Sequence, residues 1–269
     1  MRIGKQDQAF TAIATSDATS VTVRGHDLCG ELIGHVDFTD YFWLLVTGTR
    51  ATPAQKAMLN ACLVAIAEHG LVPSVQAARM TLAAAPEAWQ GAMAAGLLGM
   101  GTVVAGSSEV AGRYLVAIVA AAERAGSIEA AARDGVAELK AQRGKVPGLG
   151  HPQHDAGDPR ADRLLAIADE LGVSGAHVEA LRALGRVAPG IMDRPLPINV
   201  SGAIPAVILD AGWPVEALKA VPLLARAGGL AAHLFEESRR SIGFILSHAA
   251  DQAISYDGAP AGAAAPGDA

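Results

Sequence analysis

Lys145–Arg160 reads KVPGLGHPQHDAGDPR, and it interrupts a chain whose other long segments carry helical patterns. It gathers two histidines, three prolines and three glycines. Proline fixes φ and glycine admits backbone geometry that a Cβ forbids, so these residues specify a shaped loop and not a helix. Before the loop, apolar periodicity predicts helices over Ser108–Ala125 and Ser127–Arg143. After it, Asp158-Pro159 gives a helix-start signal for Pro159–Leu171. A histidine held in such a loop can work near neutral pH as acid, base or hydrogen-bond donor. His151 is therefore the first catalytic candidate.

Outward from the loop, the helical reading extends in both directions. Thr39 is placed to cap Asp40–Thr47, Thr52-Pro53 opens a helix that stops at His69-Gly70, and Ser74 is placed to cap Val75–Ala84. Pro86 opens an uncharged segment that reaches Ser108. Gly175–Val187, Ala203–Ala211, Pro214–Glu237 and Ser241–Ala253 complete the series. The first 22 or so residues alternate weakly, enough for one short hairpin, and no strand series or internal repeat follows. The expected class is all-α, divided into a large domain (1–109 and 202–255) and a small one (110–201), with 256–269 a disordered tail.

Composition narrows the function classes. With 51% hydrophobic, 18% charged and 4% aromatic residues, the chain suits a compact core of Ala, Leu, Val and Ile. A net charge of −6 supplies no basic footprint for nucleic acid, so an anionic ligand must meet a local cluster of cations. Two cysteines without a CxxC make neither a disulfide scaffold nor a redox motif, which points to the cytoplasm. MRIGKQDQAFTAIATSD contains no apolar run of the signal-peptide kind. Ala88–Ser108 lacks charge but also lacks Leu/Ile/Phe density and basic flanks, so a buried helix is expected there and not a membrane span.

Several side chains stand out against this background. His151 and His154 are spaced as HPQH, yet Pro152 opposes a helix and no Cys or Glu cluster completes a metal set, so no metal is expected. Arg160 has the planar fork that clamps carboxylate or phosphate; an ordinary surface arginine is the equal alternative. His69 closes a helix, where an imidazole also suits the helix dipole without any ligand. Arg226 lies inside the apolar run VPLLARAGGLAAHL, where an unpaired charge costs several kcal/mol, on the order of a lost buried ion pair. His233, Glu236, Glu237 and Arg240 share one helix face; an ion-pair network is favoured over half of a di-iron site. No GxxxxGK[ST], GxGxxG after a strand, or GxSxG is present.

Taken in order, VRGHDLCGEL, FTDYFWLLVTGTRATPAQ, AEHGLVPSVQAARM, VPGLGHPQHDAGDPRA, LPINV and ARAGGLAAHLFEE resemble the motifs of citrate synthases and the related, more compact citryl-CoA lyases, over about residues 20–245. The resemblance implies a helical homodimer with a mobile small domain. It implies that His69, Arg160 and Arg226 hold the carboxylates of an oxaloacetate or citrate moiety, with Arg240 reaching the neighbouring subunit's site. It further implies that His151 hydrogen-bonds the carbonyl or hydroxyl oxygen, and that Val146, Pro147, Gly148, Leu149 and Gly150 lie against coenzyme A. Coenzyme A enters as a thioester substrate or product, and no tightly bound cofactor is expected.

Two positions depart from the family pattern. Val104 stands where the family's histidine steadies the acetyl-CoA enolate, and Ser201 stands where its aspartate removes the methyl proton. Condensation needs both functions. Cleavage of citryl-CoA starts at the other end, with loss of the hydroxyl proton, for which His151 is the candidate base and Asp193 a candidate substitute acid. The expected activity is citryl-CoA cleavage to acetyl-CoA and oxaloacetate. The alternatives are condensation or cleavage of another CoA thioester, and a non-catalytic CoA-thioester or dicarboxylate-binding protein.

Overall fold

The computed structural model describes residues 9–150 and 157–258. The expected all-α class is what the chain adopts: eleven α-helices among the described residues, after a small N-terminal sheet. That sheet is three-stranded and antiparallel, β1 (Ala14–Ser16), β2 (Val21–Val23) and β3 (His26–Asp27), with Ala14 opposite Val23 and Thr22 opposite Asp27. It exceeds the single hairpin expected. The extra pairing is one tight turn at Arg24-Gly25, both residues with positive φ, and two residues are too few to leave a periodic signal.

The helices are α1 (Phe38–Thr47), α2 (Pro53–Ala67), α3 (Pro73–Ala84), α4 (Trp89–Leu98), α5 (Gly106–Ala125) and α6 (Ile128–Ala141). Beyond the loop follow α7 (Pro159–Glu170), α8 (Ala176–Met192), α9 (Val200–Asp210), α10 (Ala220–Arg239) and α11 (Gly243–Ala253). Thr52 and Gln55 form the reciprocal capping box that fixes the start of α2. Two expected caps differ. Asp37, not Thr39, accepts the Asp40 amide at the start of α1, because a carboxylate one turn earlier is the stronger acceptor at a helix N-terminus. Ser74 lies inside α3, behind Pro73. The uncharged segment is not one helix either: residues 99–105 separate α4 from α5, where glycines at 99 and 101 weaken helical continuity. No helix among the described residues is long and apolar enough to cross a membrane.

Two compact units result. The first comprises residues 1–68 and 100–226, the second 69–99 and 227–269, so α10 changes unit after Arg226. In the first, α9 is the central element, packed against α2, α5, α7 and α8. Its Val200 and Gly202–Ile208 are all buried. Each of Ile204, Val207 and Ile208 contributes about 1.5–3 kcal/mol by leaving water. Trp213 meets Trp43 edge-on at 5.3 Å between ring centroids, closing one side of this core.

The second unit packs Val75, Ala78 and Leu82 of α3 against Ala92 of α4 and Leu230 and Leu234 of α10. Arg79, only 2% exposed, is its polar centre. Its guanidinium donates to Glu237 at 2.6 Å, to Glu236 at 2.8 Å and to the Arg240 carbonyl at 3.2 Å, and meets His233 Nδ1 at 3.3 Å. The His233–Arg240 face is thus the ion-pair network favoured over a metal half-site. Its partner, Arg79, lies in the AEHGLVPSVQAARM stretch that resembles a family motif, but sequence reading does not single it out as a functional candidate.

Candidate active site

The described start of the 145–160 loop, through Gly150, is pinned to the start of α9. Gly150 donates its amide to the Pro197 carbonyl at 2.7 Å, and Asn199 donates to the Gly148 carbonyl at 3.0 Å. Leu149 and Ile198 form an isolated antiparallel bridge, and the Asn199 side-chain amide donates to the Gly150 carbonyl. The same Asn199 caps α9 by accepting the Gly202 amide at 3.1 Å. One asparagine therefore sets both the helix start and the loop position.

The two backbones cross at glycines. Gly148 has φ +82°, and a Cβ there would lie 2.8 Å from Gly202 Cα; a Cβ on Gly202 would lie 2.6 Å from the Gly148 carbonyl oxygen. Neither position has room for a side chain. Val146 and Leu149 anchor the segment in the core, while Pro147 and Gly150 are only half-buried.

Asp158 connects this wall to the cation expected to bind carboxylate. Its side chain is fully buried and accepts Arg160 Nε and Nη2, both at 2.9 Å, together with the Arg160 amide at 3.1 Å and the Val200 amide at 2.9 Å. Burial alone would raise the Asp158 pKa, but the Arg160 guanidinium and the Val200 amide outweigh it and hold the carboxyl below its usual range. Arg160, in the first turn of α7, keeps one-fifth of its side chain exposed. Its fork is oriented by Asp158, with Nη1 left out of that pair.

Arg226 is the most informative cation. It is 7% exposed, and its Nη1 is buried with no hydrogen-bond partner among the described residues. Burial depresses its pKa, Glu68 offsets this in part, and the like charge of Arg160 adds to it. Two arginines thus share one electrostatic neighbourhood in the first unit, and one of them is buried with an unsatisfied donor. That arrangement suits an anion.

The remaining expected residues are distributed as follows. His151 and His154 lie outside the described residues. His69, half-buried, follows the end of α2 in the second unit and precedes Gly70, whose φ is +74°. Arg240 is exposed and lies 3.7 Å from Glu236. Asp193, the candidate substitute acid, is not with this group: it ends α8 at the surface and accepts Lys140 Nζ at 2.6 Å. Among the described residues no group of three His, Cys, Asp or Glu is placed to hold a metal ion.

The two departures from the family pattern lie near the starts of α5 and α9. Val104 precedes α5 in the turn that ends at Ala105, a non-glycine residue with φ +54°. Two residues further, Ser107 donates its hydroxyl to Ser201 of α9 at 3.0 Å. Sequence reading singled out Ser201 but missed Ser107, which had no signal beyond adjacency to Ser108 and Glu109.

A family model described as citrate synthase, C-terminal domain, matches residues 6–244. Citryl-CoA lyase from Hydrogenobacter thermophilus is similar in structure with a TM-score of 0.84 and 28% sequence identity, covering 96% of each chain. ATP citrate lyase from Methanothrix soehngenii, solved with citrate and coenzyme A, is similar with a TM-score of 0.75 and 20% identity. That likeness covers 96% of this chain and 43% of that one, so this chain spans less than half of that enzyme. Citrate synthase from Thermotoga maritima follows the fold with a TM-score of 0.63 and 20% identity, over 85% of this chain and 58% of that one. No curated protein sequence matches the chain. The span of the family model takes in the 145–160 loop, the LPINV start of α9 and the ARAGGLAAH turns of α10, in the order the motifs require, and the chain belongs to the citrate synthase family.

Proposed function

We propose that this protein is a carbon–carbon lyase of the citryl-CoA lyase kind, cleaving citryl-CoA to acetyl-CoA and oxaloacetate. The observation that carries the reading is Arg226: a buried guanidinium whose Nη1 has no partner among the described residues, in the field of a second, pre-oriented arginine. A dicarboxylate supplies the acceptors this pair lacks. The likeness to a citryl-CoA lyase over 96% of both chains supports the same reaction class.

In this reading Arg160 and Arg226, with His69, hold the carboxylates of the oxaloacetate half. The Val146–Gly150 segment, with backbone groups fixed by Asn199 and Pro197, lies along the coenzyme A half. His151 takes the proton of the citryl hydroxyl, and the carbon–carbon bond breaks to leave the oxaloacetate ketone. The electron pair moves into the thioester as an enolate, whose carbon then takes a proton from solvent to give acetyl-CoA. Coenzyme A is substrate and product, not a resident cofactor. The protein acts in the cytoplasm as a homodimer, and Phe235, Phe244, Ile245 and Tyr256, all exposed in the second unit, suit burial against a second copy. Arg240 then serves the partner's site. The functional division into a large domain (1–109 and 202–255) and a mobile small domain (110–201) belongs to the same proposal.

The test is release of oxaloacetate from citryl-CoA by the purified protein. Release above that of a His151→Ala control supports the reading, and release no greater than the control overturns it. A panel of other CoA thioesters separates cleavage of a different substrate, which the Val104 and Ser201 replacements favour as the second reading. Tight binding of CoA esters without turnover, unchanged in His151→Ala, would identify a non-catalytic binding protein.

A further inference from the structure

Ser107 and Ser201 lie 94 positions apart in sequence, yet their hydroxyls are hydrogen-bonded at 3.0 Å and both residues are half-buried. Each is the second residue of its helix, Ser107 in α5 and Ser201 in α9. A hydroxyl pair uses one hydrogen between its members and leaves the other free to donate elsewhere. The hydroxyl that accepts becomes the better donor, since hydrogen bonds in series polarise one another.

The surroundings favour negative charge. Both helices present their positive ends here, and α5 has no side-chain cap. Ser201 is flanked by Val200, whose amide is held by the Asp158 that orients Arg160, and by Gly202, on which Gly148 rests. Gly148 also faces Ala111, one turn along α5 from Ser107, at 3.5 Å from its Cβ position. The backbone on either side of Ser201 is thus tied on one side to the carboxylate that orients Arg160, the residue assigned to the dicarboxylate half, and on the other to the segment assigned to the thioester half. The bond to be broken joins those two halves.

Resting on the proposed cleavage reaction, we infer that the Ser107–Ser201 hydroxyl pair donates a hydrogen bond to the thioester oxygen as enolate charge develops on it. Ser201 is the catalytic donor and Ser107 its positioning residue. A serine hydroxyl cannot abstract a methyl proton at neutral pH, but it can donate to an oxyanion. The pair therefore supports formation of the enolate by bond cleavage and leaves deprotonation of acetyl-CoA without a base. No covalent bond to either serine is formed.

The experiment compares two ligands in the presence of oxaloacetate. In carboxymethyl-CoA, a thioether, a carboxylate stands in for the enolate; acetyl-CoA carries no such charge. Binding is read by calorimetry and cleavage of citryl-CoA by kcat and KM. Ser201→Ala is expected to weaken carboxymethyl-CoA roughly 10- to 100-fold, as loss of a hydrogen bond to a charged group does, and to leave acetyl-CoA within about twofold. The same variant should lower kcat by a similar factor with KM little changed. Ser201→Thr should retain most of both, and Ser107→Ala should fall in between. If the wild type cleaves citryl-CoA and Ser201→Ala binds carboxymethyl-CoA as tightly as it does, the inference is overturned and the cleavage reading stands. If the wild type neither binds these esters nor cleaves citryl-CoA, both fall together.

Discussion

Replacing Arg226 by methionine should make the empty protein more stable and the liganded protein less so. Arg226 is 7% exposed, its Nη1 has no partner among the described residues, and burial and the like charge of Arg160 are only partly offset by Glu68. A buried donor left unsatisfied costs about 1–3 kcal/mol, and more when charged. Methionine keeps the apolar stem and removes the charge, so the ligand-free protein should gain about 1–3 kcal/mol. With an m-value near 2–3 kcal/mol per molar urea, the unfolding midpoint rises by roughly 0.5–1 M. A Trp89→Phe background leaves Trp43 and Trp213, both in the core of the first unit, as the fluorescent reporters. Oxaloacetate at 100 times the wild-type Kd should stabilise the parent by about 2.7 kcal/mol. Loss of a buried charge-assisted contact weakens binding by about 2–5 kcal/mol, so the variant should gain less than about 1 kcal/mol at the same concentration. A variant that loses stability without ligand, yet keeps the full oxaloacetate shift, would refute the assignment of Arg226 as an anion receptor.

Gly148→Ala should cost about 2–5 kcal/mol, from left-handed strain plus collision with Gly202, and should weaken acetyl-CoA binding in calorimetry. Gly172→Ala, with φ +66° but nothing within 4 Å, is the control and should show only the strain, about 1–2 kcal/mol, in the same denaturation assay. Asp158→Asn removes the charge that orients Arg160 and should destabilise the first unit by about 3–5 kcal/mol, measured by urea unfolding. Because the Asp158 pKa is lowered on folding, its contribution is present above the ordinary aspartate range and is lost as pH falls through the folded value. Glu237 behaves likewise in the second unit: Ser241, Arg79 and the Ile242 and Gly243 amides overcome burial and bring it from 4.5 to about 2. That shift corresponds to about 3 kcal/mol present above pH 4.5 and lost as pH falls toward 2. Glu237→Gln should flatten this acid limb in hydrogen exchange of α3 and α11.

Local chemistry made some of this structure legible. Thr52-Pro53 and Asp158-Pro159 announce helix starts through groups within a turn of each other, and both are found. Arg226 announced itself because a charge in VPLLARAGGL contradicts its neighbours. What stayed hidden depends on contacts between distant residues. Arg79 reads as an ordinary helix arginine until Glu237, 158 positions away, is placed against it. Ser107 reads as a polite surface residue until α9 brings Ser201 to it. The break at 99–105 shows the converse: freedom from charge does not make the buried helix expected there, since Leu98 is 86% and Val103 88% exposed, and the glycines decide where the helix stops.

The crossing of Gly148 and Gly202 bears on how this family can diversify. The 146–150 segment is fixed by its own amides and carbonyls, by Asn199 and by two residues with no side chains, so its path is independent of what Pro147 or Ile198 carries outward. Side chains beside this crossing can then be exchanged for others without rebuilding the scaffold, provided the two glycines and the asparagine are kept. Ser201, directly before Gly202, is a position of that kind: what its side chain carries can change while the crossing beside it is kept.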